Sequence, residues 1–224
     1  MRAIVTGASR GLGLALTRAL AERGWELAVD ARGAEALERA VGDLEHVIAI
    51  AGDVADPDHR RKLVAALDGP IDLLVNNASD LGPTPLPALA DYPLDELRRV
   101  YEVNVLAPLA LAQLARPRLS RDARIVNVIS DAAVEPYETW GGYGSSKAAL
   151  AQITAILGAE NPGLRIYAVD PGDMRTQMQQ DAFPGEDISD RLPPEASVPG
   201  LLEVIEGDLS SGSYRAHDVA AARA

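Results

Sequence analysis

"TGASRGLG", residues 6–13, follows an apolar run, "RAIV", and runs directly into "GLALTRALAERG", whose apolar residues recur at helical spacing. A short buried strand, a glycine-rich turn and a helix in that order make the opening βα unit of a doubly wound α/β domain. Glycines let such a turn be tight and let its backbone approach a pyrophosphate, which the positive end of the helix favours. The spacing is Gly7-x-x-x-Gly11-x-Gly13 and not G-x-G-x-x-G, so an ordinary glycine-rich connection stands as the alternative reading.

The same alternation continues outward along the chain. Apolar or β-branched runs at Ala3–Thr6, Glu26–Val29, Val47–Ile50, Leu73–Val75, Arg124–Ile129 and Arg165–Val169 are separated by segments such as "DHRRKLVAALDG". Nearly continuous apolar strands suit a parallel sheet covered by helices on both faces. Two stretches break the rhythm. Residues 79–93, "SDLGPTPLPALADYP", are expected to be loop, and residues 171–200 carry too many prolines for long regular elements. The second follows the strand ending near Val169, beyond the carboxyl ends of the strands where ligands bind, and is a candidate lid. A last short strand is expected around Ser213–Arg215.

With 224 residues and no composition break, the chain is read as one Rossmann-type domain over 1–224. A net charge of -12 argues against nucleic acid or an anionic membrane as partner. The absence of cysteine excludes disulfides and thiol chemistry. No leader or membrane-spanning run is visible, so a cytoplasmic location is expected. His46, His59 and His217 show no ligand spacing and are given no metal or catalytic role.

Taken together, "TGASRGLG", "GDVAD" (52–56), "NNAS" (76–79), "VNV" (103–105), "IVNVIS" (125–130), "YGSSK" (143–147) and "DPGDMRT" (170–176) resemble the short-chain dehydrogenase/reductase family, in that family's order and over nearly the whole chain. Tyr143 and Lys147 lie four residues apart and share a helix face. A phenol titrates near ~10, and an adjacent ammonium favours the phenolate. The resemblance implies Tyr143 as general acid/base, Lys147 as its electrostatic partner and ribose ligand, Ser130 as the hydroxyl on the substrate oxygen, and Asn104 as support for a proton relay. Pro108, four residues after Asn104, makes an irregular helix there plausible.

The resemblance also implies a dinucleotide held by Gly7, Ser9, Arg10, Gly11, Leu12 and Gly13. Asp53 and Val54 would sit at the adenine and Asn77 and Ala78 near the ribose. Pro171, Gly172 and Thr176 would border the nicotinamide. Asp53 also reads as an acid opening the next helix. Tyr137, Trp140, Met174, Met178 and Phe183 are either pocket lining or packing. Ser79 stands where the family usually has glycine, which raises the question of crowding by its Cβ. The activity implied is interconversion of an alcohol and a carbonyl by a homodimer or homotetramer. A non-catalytic dinucleotide-binding protein on the same fold is the other class.

Cofactor choice turns on "LAVDARGAEAL", residues 27–37. The family's NAD-selecting acid sits at the strand end, where this chain has Ala31. Arg32 and Arg10 occupy positions that tend to accompany NADP(H), which is therefore favoured over NAD(H). A strand running to Arg32 would point Asp30 and Arg32 to one side, where they could pair.

Overall fold

Buried on both faces, the apolar runs form a single all-parallel sheet. In the computed structural model, which describes residues 1–222, its strands are β1 (Arg2–Val5), β2 (Glu26–Ala31), β3 (Val47–Ala51), β4 (Ile71–Asn76), β5 (Leu119–Val128), β6 (Arg165–Asp170) and β7 (Gly212–Arg215). Their order is β3-β2-β1-β4-β5-β6-β7. Period-two alternation divides each strand between two cores. Ala3, Val5, Leu27, Val29, Leu73 and Val75 face one, together with Leu16 and Leu20 of helix α1 (Gly11–Ala21) and Leu37 of α2 (Ala34–Val41). Ile4, Ala28, Leu74 and Ile125 face the other, with Leu63 of α3 (Pro57–Ala65) and Leu111 of α5 (Ala107–Ala115). Each fully buried Leu or Ile contributes about 1.5–3 kcal/mol.

Chain direction across the sheet reverses between β1 and β4, so the crevice beyond their carboxyl ends is the topological switch point. The expected strands are present with moved ends. β1 stops at Val5, leaving Thr6 to bind the loop after β4, and β5 begins at Leu119, ahead of the apolar run. β2 ends at Ala31, so Arg32 lies beyond the ladder.

Helix α4 (Leu94–Tyr101) continues into α5 through a π-helical turn, Glu102–Leu106. Pro108 has no N–H to give the carbonyl of Asn104, and the widened turn accommodates that missing bond. The irregularity expected near Asn104 is therefore present. The long helix α6 (Gly141–Glu160) carries Tyr143 and Lys147. After β6, the proline-rich stretch contains only the short helix α7 (Gln177–Ala182) and a 3-10 turn before α8 (Val198–Glu206). Among the described residues no helix is long and apolar enough to cross a membrane.

Candidate active site

A cavity of about 1060 Å³ opens beyond the carboxyl ends of the strands. Every residue expected at the site lines it except Gly13 and Asn104. At one end the glycine turn is clamped from below. Thr6 Oγ1 accepts from the N–H groups of Asn77 and Ala78, each at 3.0 Å, and Asn77 Nδ2 donates to Thr6 O at 2.9 Å. Gly7 has φ +72°, and a Cβ there would lie 2.9 Å from Ala78 Cα. A Cβ on Gly13 would lie 2.2 Å from Gly7 O, so Gly13 serves close packing and not the cavity wall.

Asp30 completes that clamp, which corrects the pairing expected with Arg32. Its Oδ1 accepts from Gly7 N at 2.8 Å, and its Oδ2 lies 2.8 Å from Nε2 of His59. Both side chains are buried. The acid therefore belongs to the scaffold. Arg10 and Arg32 are exposed on the cavity wall with no ion-pair partner among the described residues. Their guanidinium groups fit a phosphate, which Arg binds through forked, charge-assisted bonds. Asp53 lines the cavity and closes a turn by accepting from Ala55 N at 2.9 Å, while Asp56 caps α3. Thr176 caps α7 by accepting from Gln179 N at 3.2 Å.

At the other end stand Ser130, Tyr143 and Lys147. Lys147 is 2% exposed, donates from Nζ to Val128 O at 2.8 Å, and lies 5.4 Å from the centre of the Tyr143 ring. Burial pushes its pKa down to about 7. Burial also pushes the Tyr143 phenol well above its ordinary range. Hydrogen bonds with the Ser79 and Ser130 hydroxyls pull it back in part, while Asp170 and Asp131 push it up. Desolvation is the largest of these influences, so the phenol loses its proton less readily than a free one. Ser130 Oγ donates to Asp131 Oδ1 at 2.9 Å and accepts from Ala132 N at 3.2 Å. Asp131 Oδ2 accepts from Tyr137 Oη at 2.8 Å.

A profile of the short chain dehydrogenase family matches residues 1–187. The chain belongs to the short-chain dehydrogenase/reductase family. Among relatives of this short-chain dehydrogenase, a benzil reductase ((S)-benzoin forming) of Saccharomyces cerevisiae is 31% identical over 215 residues, covering 89% of this chain and 79% of the relative. A Bacillus subtilis protein of the same description is 33% identical over 192 residues, covering 79% of this chain and 75% of its own length. A solved short-chain dehydrogenase of Escherichia coli, complexed with NADPH, superposes with a TM-score of 0.89 at 25% identity, covering 96% of this chain and 95% of that one. The family's members interconvert alcohols and carbonyls with NAD(P)(H).

Two residues of this dehydrogenase's site have no clear signal in the sequence, and the aromatic residues turn out to be joined. Nothing local links His59 to Asp30, twenty-nine positions earlier in β2. Asp131, which accepts the hydrogen bond of the Ser130 hydroxyl, has only the signal of being its neighbour. The rings form one cluster: Trp140 lies 5.8 Å from Tyr143, 5.8 Å from Phe183 and 6.3 Å from Tyr137. Pocket lining and packing are therefore both true of Trp140. Ser79 has no left-handed backbone and its Cβ imposes no strain there.

Proposed function

We propose that the chain is an NADP(H)-dependent reductase of apolar, aryl-bearing carbonyl compounds, with Tyr143 as general acid. One observation carries this reading: a single cavity joins two unpaired arginines and a glycine cradle to Ser130 and the buried Tyr143–Lys147 pair, walled by aromatic rings. A nicotinamide cofactor bound along it would supply the hydride to the carbonyl carbon. Tyr143, kept protonated by burial, gives its proton to the carbonyl oxygen as negative charge develops there. Ser130 turns its hydroxyl from Asp131 toward the same oxygen, so two donors converge on it. Lys147 titrates near neutral pH beside Tyr143 and can pass a proton back to it. Gly7, Gly11 and the start of α1 hold the pyrophosphate, and Arg32 with Arg10 reads the 2′-phosphate.

Trp140, Phe183, Met178 and Leu81 offer an apolar wall beside Tyr143, which suits a flat aromatic group. The benzil reductase relatives support the same substrate class. The test is NADPH or NADH consumption by the purified protein with diaryl diketones and aryl ketones. The reading expects faster turnover with NADPH; failure of both cofactors on every aryl carbonyl overturns it.

A further inference from the structure

One carboxylate joins Ser130 to the aromatic wall of the cavity. Asp131 follows Ser130 directly and opens the 3-10 turn Asp131–Ala133 between β5 and α6. Its Oδ1 accepts from Ser130 Oγ at 2.9 Å and from Ala132 N at 2.8 Å. Its Oδ2 accepts from Tyr137 Oη at 2.8 Å. The Tyr137 ring meets Trp140 edge-on with centroids 6.3 Å apart, and Trp140 meets Tyr143 in the same way at 5.8 Å. Ser130, Asp131, Tyr137 and Trp140 all line the cavity.

Backbone preference does not hold this segment in shape. Thr139 has φ +67°, a left-handed conformation that a β-branched residue adopts only under constraint. Such strain persists where the surroundings over-determine it, and it concentrates at ligand clamps. Val134 and Tyr137 are exposed, so burial supplies little of the hold. At one end of the strained residue, Trp140 is anchored by α6, since Gly144 N donates to Trp140 O at 2.7 Å. At the other end the anchor is the Tyr137 hydroxyl on Asp131, and a bond to an ionised acceptor is stronger than a neutral one.

We propose that Asp131 is a positioning residue that selects for aryl substrates: its carboxylate latches Tyr137, and through it Trp140, at a set place relative to the Ser130 hydroxyl. This rests on the reading that Ser130 meets the substrate carbonyl oxygen. With that oxygen held at Ser130, an aryl substituent lies against a wall already in place, and binding need not order the loop. A small aliphatic substituent has little surface to bury against the same wall. Releasing Tyr137 lets Thr139 leave its strained conformation, and the wall then has to be assembled at each binding event.

Fluorine NMR of protein carrying fluorotryptophan reads the wall without turnover. The chain has two tryptophans, and Trp25 is buried in the core, so its resonance controls for an intact fold. Trp140 is assigned through Trp140→Phe. Asp131→Ala should shift the Trp140 resonance and leave that of Trp25 in place. The same substitution in a Tyr137→Phe background should cause no further shift, because the link is already cut. A Trp140 resonance unmoved by Asp131→Ala, or moved equally in both backgrounds, overturns the latch, whatever the carbonyl-reductase assay returns. Kinetics then test the selection. Tyr137→Phe, at an exposed side chain that folding does not depend on, should raise KM for an aryl ketone about three- to tenfold, the range of one hydrogen bond. Its kcat should change less than its KM, and KM for a small aliphatic ketone should rise less than KM for the aryl one. Equal rises for both ketones, or no rise for either, overturn the selection for aryl groups.

Discussion

Replacing Lys147 with methionine should change the way stability depends on pH. Lys147 Nζ is buried, and its pKa falls from 10.5 to about 7 on folding. Between those values the unfolded chain holds a proton that the native protein does not, so stability rises with pH there by about 1.4 kcal/mol per unit. The penalty is absent above the unfolded pKa, accumulates as pH falls toward 7, and is constant below. Its full size is on the order of 4–5 kcal/mol. Methionine has similar length and no charge, so the Lys147→Met variant lacks the slope. It also leaves Val128 O without the Lys147 donor, which costs about 1–3 kcal/mol at every pH. The slope therefore carries the test, not the absolute difference. Urea unfolding of both proteins from about pH 6 to about pH 9.5 should show the stability of wild type relative to the variant improving by roughly 3 kcal/mol above neutrality, and no trend below it. A gap that stays constant across the alkaline range would refute a lowered Lys147 pKa.

Two further substitutions probe the cofactor end. Arg32→Ala should weaken NADPH binding about ten- to a hundredfold and leave NADH almost unaffected, since only the 2′-phosphate differs; equal losses for both in fluorescence titrations would remove Arg32 as the phosphate reader. His59→Ala should destabilise the fold by about 3 kcal/mol, because Asp30 would remain buried without its partner. Thermal unfolding measures this, and NADPH and NADH affinity should fall together as the Gly7 clamp loosens.

The parts of this protein legible in its sequence are those encoded locally. The turn at 6–13, the apolar strands and the four-residue step from Tyr143 to Lys147 each depend on neighbours in the chain, and pattern reveals them. Pro108 announced the irregular turn around Asn104 for the same reason. What stayed hidden depends on elements meeting across the fold. Asp30 looked like a partner for Arg32 because the two are adjacent in sequence, yet α3 delivers His59 to it. Ser79 looked like an obstacle at a glycine position, and only the packing of the π turn beside the loop after β4 gives its hydroxyl a partner. Lys147 illustrates a third case. Its position was readable, but the sign of its effect depends on burial, which no local pattern measures.

In the proposed reaction Tyr143 delivers the proton in an NADPH-dependent carbonyl reduction. The most direct measurement is NADPH oxidation with an aryl diketone by wild type and Tyr143→Phe, with NADPH affinity measured on both. Affinity should be unchanged and turnover reduced about a hundredfold or more, the scale of a lost general acid. Comparable turnover in Tyr143→Phe would contradict it.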